Sequence, residues 1–225
     1  PVLELAIETA KDWTDRPLVM IAGAVGKTAQ AVEEAKTARA MGYHAVLLSL
    51  AAFKGASEDE LIDHCSAVAR EMPLIGFYLQ TAVGGIKLSR AFWARFAAIE
   101  NVVAIKVAPF NRYRTLDVAF GIAQAHAEDR ITLYTGNDDH IVADLATPLV
   151  VRTGNREVTL RFQGGLLGHW SVWTRGAVKL LEKLKIAVST NAVTPEILAL
   201  DSYVTDCNSV VFDVDMISPA ASRGA

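Results

Sequence analysis

From the first residue to about residue 185, short β-branched runs alternate with longer segments of helical period, and this alternation limits what the chain can fold into. The strand candidates are residues 17–25 (PLVMIAGAV), 44–50 (HAVLLSL), 73–80 (PLIGFYLQ), 102–108 (VVAIKVA), 131–136 (ITLYTG) and 157–162 (EVTLRF). Each is mostly apolar, as expected of parallel strands covered on both faces. Helical stretches begin near Thr28, Ser57, Ser89 and Asn111, and Ser57 followed by Glu60 has the spacing of a capping box. Strand, helix, strand, helix without interruption implies right-handed crossovers and a parallel sheet, either doubly wound or closed into a barrel.

Six strand candidates fall short of the eight that a closed (β/α)8 barrel needs, and the chain opens on an amphipathic helix (PVLELAIETAKDW). The sheet is therefore open, or two strands precede Pro1. Past residue 170 the pattern turns helical, with candidates at 172–185, 194–204 and 206–214. The division expected is 1–185 for the sheet-and-helix body and 186–225 for a helical extension of the same domain.

At 225 residues and 52% hydrophobic content the chain can bury a sizeable core, and a net charge of −3 with scattered Lys and Arg argues against a nucleic-acid surface. Two cysteines, Cys65 and Cys207, fit neither a disulfide framework nor a CxxC metal site, so a cytoplasmic setting is expected. No apolar window is long enough to span a membrane, and no membrane partner is expected. The five histidines are dispersed without HxH or HExxH spacing, which leaves no metal centre to assign.

Lys106 stands inside the apolar run VVAIKVAPF. Strand alternation puts Ala104, Lys106 and Ala108 on one face and Val103, Ile105 and Val107 on the other. If that first face lines a barrel or crevice, desolvation favours the neutral amine, the form that attacks a carbonyl. A lysine at a strand end that extends its ammonium into solvent is the plainer account of the strand alone. Neighbouring strand ends add weight: Tyr78 could move a proton beside the amine, and Gly136, Asn137, Asp138 and Asp139 follow the fifth strand. Taken singly, Tyr78 is equally a packed strand aromatic and residues 136–139 a turn with a helix cap. The segment GAVGKT at 23–28 ends like a phosphate-binding loop, but the position that needs a further glycine is Ile21, so the motif is incomplete.

The strand-end residues FYLQTAVGG (77–85), AIKVA (104–108) and TGNDD (135–139), with IAGAVGKT (21–28), resemble in order the dihydrodipicolinate synthase and N-acetylneuraminate lyase family of class I aldolases. The resemblance implies an α/β fold of the (β/α)8 TIM-barrel type, entered here at its second helix, with extra C-terminal helices. By that alignment the family's Thr-Thr element, which binds a keto-acid carboxylate, lies upstream of Pro1. It implies a Schiff-base lyase, aldolase or dehydratase acting on a 2-keto acid or similar small carbonyl substrate. Lys106 would be the imine-forming residue and Tyr78 the proton donor or acceptor, with Gly136, Asn137, Gly23 and Ala24 at the substrate. No cofactor and no metal are implied, and a dimer or tetramer is. After the tyrosine the family has Asn-x-Pro and then arginine, where this chain has Leu79, Gln80 and Thr81, and its tyrosine pair is replaced by LAAF at 50–53. A substrate other than that of dihydrodipicolinate synthases is therefore expected. Two other readings stay open: a catalytically idle barrel homologue, and a phosphate- or nucleotide-binding module built on residues 23–28.

Overall fold

A computed structural model describes residues 1–213. After helix α1 (Val2–Trp13), strand and helix alternate as β1 (Ile21–Ala24), α2 (Thr28–Ala40), β2 (Ala45–Leu48), α3 (Glu58–Ala69), β3 (Leu74–Leu79), α4 (Arg90–Ala97), β4 (Val102–Ala108), α5 (Arg112–Gln124), β5 (Thr132–Thr135) and α6 (Ile141–Ala146). A hairpin of β6 (Leu149–Thr153) and β7 (Arg156–Leu160) follows, then β8 (Phe162–Gly165), α7 (Gly168–Val172), α8 (Thr174–Ser189) and α9 (Pro195–Asp213). Strands β1, β2, β3, β4, β5 and β8 pair in that order as one parallel six-stranded sheet.

The helices start where the sequence places their caps. Ser57 accepts from the Glu60 amide at 3.3 Å while the Glu60 carboxylate accepts from the Ser57 amide at 2.8 Å, closing the capping box of α3. Ser89 and Asn111 cap α4 and α5 in the same way, each accepting from the amide three residues on. Helix α2 turns Ala31, Ala35 and Ala38 inward, so it can approach the sheet closely.

The two faces of the sheet differ in what covers them. The outer face carries Ala22, Ala24, Val46, Leu48, Leu74, Tyr78, Ile105, Val107 and Leu133 into the main core beneath the helices. Here Gly76 and Gly121 make room for aromatics. A Cβ on Gly76 would sit 2.7 Å from the Phe96 ring, and one on Gly121 would sit 2.5 Å from Trp93 Cβ. The inner face holds a small separate cluster of Ala45, Ile75 and Ala104 against Leu47, Val103 and Tyr134.

Three sequence expectations change. The run 157–162 is not one strand, because its first part pairs antiparallel with β6 and only Phe162 onward joins the sheet. Gly154, at φ +59, turns that hairpin, a conformation a side chain would disfavour. Val103, expected opposite Ala104, packs on the inner cluster, since the β3–β4 register shifts between Leu74 and Ile75. The helices expected at 194–204 and 206–214 are one helix, α9, apart from residue 214, which lies outside the described residues.

Candidate active site

Lys106 points from β4 to the inner face, half-buried, in register with Phe77 on β3 and Tyr134 on β5. Its Nζ lies 4.3 Å from the centroid of the Phe77 ring. The ring face attracts an ammonium weakly, by about 0.5–2 kcal/mol, and the Asp138 carboxylate also favours the charged form. Desolvation outweighs that carboxylate and holds the amine below the usual lysine range.

Gly136 clears the space beside it. The Gly136 amide donates to the Val107 carbonyl at 2.8 Å, which extends the β4–β5 pairing by one residue. A Cβ at this position would lie 2.7 Å from Ala108 Cβ and 3.0 Å from Lys106 Cε. Any larger residue would push the lysine stem aside.

Both ends of the Asn137 side-chain amide hold the loop. Its Nδ2 donates to Asp144 Oδ2 at 3.0 Å, and its Oδ1 accepts from the Phe110 amide at 3.1 Å. Phe110 has φ +50, so that bond helps fix a backbone conformation a bulky residue rarely adopts. Asp144, fully buried, also accepts from the Thr135 hydroxyl at 2.6 Å and pairs with Arg112 at 2.7 Å. Asn137 therefore positions the Gly136 turn.

Asp138 is 8% exposed, and its Oδ1 has no hydrogen-bond partner. Burial pushes its pKa up to about 6, against the His169 backbone amide and Lys106, which pull it down. A second tier fixes this residue from the C-terminal helix: Asn208 Nδ2 donates to the Asp138 carbonyl at 2.8 Å, and Asn208 Oδ1 lies 2.8 Å from His169 Nδ1. Neither His169 nor Asn208 carries a motif that would single it out in the sequence.

Two expected site residues face away. Tyr78 is in register with Val107, one residue past the Phe77–Lys106 pair, so it points to the outer face. There it is fully buried against Trp93, its hydroxyl donating to the Leu88 carbonyl at 3.2 Å and accepting from the Leu88 amide at 3.3 Å. It cannot pass a proton to Lys106 from there, and the aromatic that meets the amine is Phe77. Ala24 is likewise on the outer face at 0% exposure, whereas Gly23 shares the inner face with Leu47 and has open space where a Cβ would be.

The loop at 23–28 is covered by side chains of α2. The Val25 amide donates to the Glu34 carboxylate at 2.7 Å, and Gln30 lies over Gly26, with Oε1 2.4 Å from where a Cβ would stand. A carboxylate already takes the amide that a phosphate would need, which disfavours the anion-binding reading.

Comparison with known proteins agrees with this architecture. The chain is 27% identical over 139 residues to a 4-hydroxy-tetrahydrodipicolinate synthase of Lachnoclostridium phytofermentans, covering 60% of this chain and 46% of that protein. It is 34% identical over 82 residues to a probable 5-dehydro-4-deoxyglucarate dehydratase of Acinetobacter baumannii, covering 36% of this chain and 27% of that one. Among solved structures, the chloride-inhibited dihydrodipicolinate synthase from Acinetobacter baumannii complexed with pyruvate superposes with a TM-score of 0.69 at 21% identity, over 94% of this chain and 64% of that one. The chain thus spans less than half the length of the curated relatives it matches. Its six parallel strands are those of a TIM-barrel fold with added C-terminal helices. With the dihydrodipicolinate synthetase family profile matching residues 2–153, the chain belongs to that family.

Proposed function

We propose that the chain acts as a Schiff-base-forming lyase, aldolase or dehydratase on a 2-keto acid or similar carbonyl compound, through Lys106. The observation that carries this is a half-buried amine on the inner face of the sheet, held below the usual lysine range, with Gly136 clearing the space at its Cε. The neutral amine adds to the substrate carbonyl, and loss of water leaves an iminium. That cation draws electrons from an adjacent bond, so that a proton or a carbon fragment departs and an enamine remains. Gly23 leaves open space on the inner side, and Gly136 lets the lysine stem pass close to the turn. The relatives support the class: one is a 4-hydroxy-tetrahydrodipicolinate synthase, one a probable 5-dehydro-4-deoxyglucarate dehydratase, and a structural neighbour is complexed with pyruvate.

The test is borohydride trapping with pyruvate and 2-oxobutanoate, read by intact mass and peptide mapping. A reduced adduct on Lys106, absent from Lys106→Ala, is the expected result. No adduct on folded protein would overturn the reading. Because the amine is held down, trapping should persist to lower pH than an ordinary lysine, near 10.4, would allow.

A second reading, a barrel without catalytic activity, is favoured by one observation: the aromatic facing the amine is Phe77, which has no hydroxyl. It predicts the negative trapping result.

A further inference from the structure

Carbon chemistry on an iminium needs a group that takes and returns a proton. Tyr78 is on the wrong face, and Phe77 cannot do it. Asp138 is the carboxylate that interacts with the Lys106 amine, two residues beyond the glycine that touches the lysine stem. It is more than nine-tenths buried, yet Oδ1 has no partner, an expensive arrangement for a side chain that serves structure alone. The Asp138 backbone is tied down through Asn208, whose Nδ2 donates to the Asp138 carbonyl at 2.8 Å, so the residue's place in the turn is fixed.

We propose that the Asp138 carboxylate is the acid–base group for an imine on Lys106, taking a proton from the carbon beside the imine and returning it. This rests on the imine reading of Lys106. In the forward step the C3–H bond of the bound keto acid breaks and its electron pair becomes the C2=C3 bond. The iminium π pair moves to Nζ, and the proton goes to Asp138 Oδ1. The reverse step restores the iminium and the carboxylate. The charged and titratable groups around Asp138 are Lys106 on β4, Asp139 beside it and His169 on α7. Burial raises Asp138 to about 6, so it is mostly ionised at neutral pH and still a competent acid once protonated.

The obvious rival is Tyr134, which is in register with Lys106 on the same face. Its ring is spent on the inner apolar cluster and lies against Gly164, with a Cβ there 3.4 Å from the ring.

The experiment follows exchange of the pyruvate C3 protons with D2O by NMR, divided by the adduct fraction measured by borohydride trapping. Asp138→Asn should keep the adduct while exchange per adduct falls about a hundredfold or more. Tyr134→Phe should leave exchange per adduct unchanged. In the wild type, exchange per adduct should rise with pH through about 6, as the carboxylate ionises, and that limb should vanish in Asp138→Asn. Exchange in Asp138→Asn within about threefold of wild type, against the hundredfold expected of general base catalysis, would overturn Asp138 and leave Lys106 standing. Loss in Tyr134→Phe without loss in Asp138→Asn would do the same. If Asp138→Asn does not fold, the wild-type profile decides, and a flat one from about pH 5 to 8 overturns the proposal. A wild type that forms no adduct removes the imine reading and this inference with it.

Discussion

Replacing Asp144 by alanine tests whether the Gly136 turn is held from beneath. Asp144 is fully buried and gathers three partners from three elements: Thr135 at the end of β5, Asn137 in the turn, and Arg112 at the start of α5. Hydrogen bonds to a charged acceptor contribute about 1.5–3 kcal/mol each, and two are lost with their donors left buried. Arg112 is 38% exposed and can turn to water, so its pairing adds at most about 1 kcal/mol. The total is about 4 kcal/mol, which for a chain of this size lowers Tm by roughly 10 °C. Arg112→Ala should cost about a quarter of that, and Asp144→Asn, which keeps one carbonyl oxygen, an intermediate amount. Thermal unfolding followed by circular dichroism, with a urea titration to check that m is unchanged, gives the ranking. A Tm loss below about 3 °C for Asp144→Ala, or an equal loss for Arg112→Ala, would refute the view that Asp144 organises the turn.

Gly136→Ala should leave the fold intact but displace Lys106, because the new methyl would stand 2.7 Å from Ala108 Cβ and 3.0 Å from Lys106 Cε; loss of borohydride trapping with a near-native circular dichroism spectrum is expected. Tyr78→Phe should cost about 1–2 kcal/mol in urea unfolding, from the two bonds to Leu88, and leave trapping per folded molecule unchanged. Ser57→Ala, which opens the capping box of α3, should cost about 1 kcal/mol in the same assay. Burial pushes the Cys65 thiol up to about 12, whereas Cys207 is exposed; a thiol reagent should therefore titrate one cysteine in native protein and both in denaturant.

The helix starts and the first five sheet strands were legible because their signals are local. Ser57, Ser89 and Asn111 each satisfy a helix amide three residues on, and apolar runs mark β1 to β5. The sixth strand was not, because EVTLRF has the composition of one strand while its hydrogen bonds are shared between a hairpin and the sheet. Partner choice of that kind depends on Leu149–Thr153, a segment whose pairing no short window reveals. The β3–β4 irregularity was hidden for the same reason, and with it the placing of Val103.

The placing of the candidate site residues was half legible: Tyr78 and Ala24 missed by one residue of parity, and the hydrogen bonds of Asn137 follow no strand pattern. Lys106 and its own face followed from alternation within β4, since Ala104 and Ala108 are counted from it directly. Transferring that face to β3 needs the register between strands, which one sequence does not contain. A tyrosine next to a phenylalanine then offers two candidates, and chemical preference picks Tyr78. The pairing of Phe77 with Lys106 decides the other way. The same parity sends Gly23 inward and Ala24 to the helices. Asp138 belongs to no strand face, so parity says nothing about it. What singles it out is a buried oxygen without a partner on a carboxylate whose charge reaches the Lys106 amine, a combination that arises only in the folded chain. If the chain performs imine chemistry, Phe77 cannot carry the proton, and another carrier near Lys106 is required. The proposal gives that role to Asp138, whose charge favours the ammonium form of Lys106.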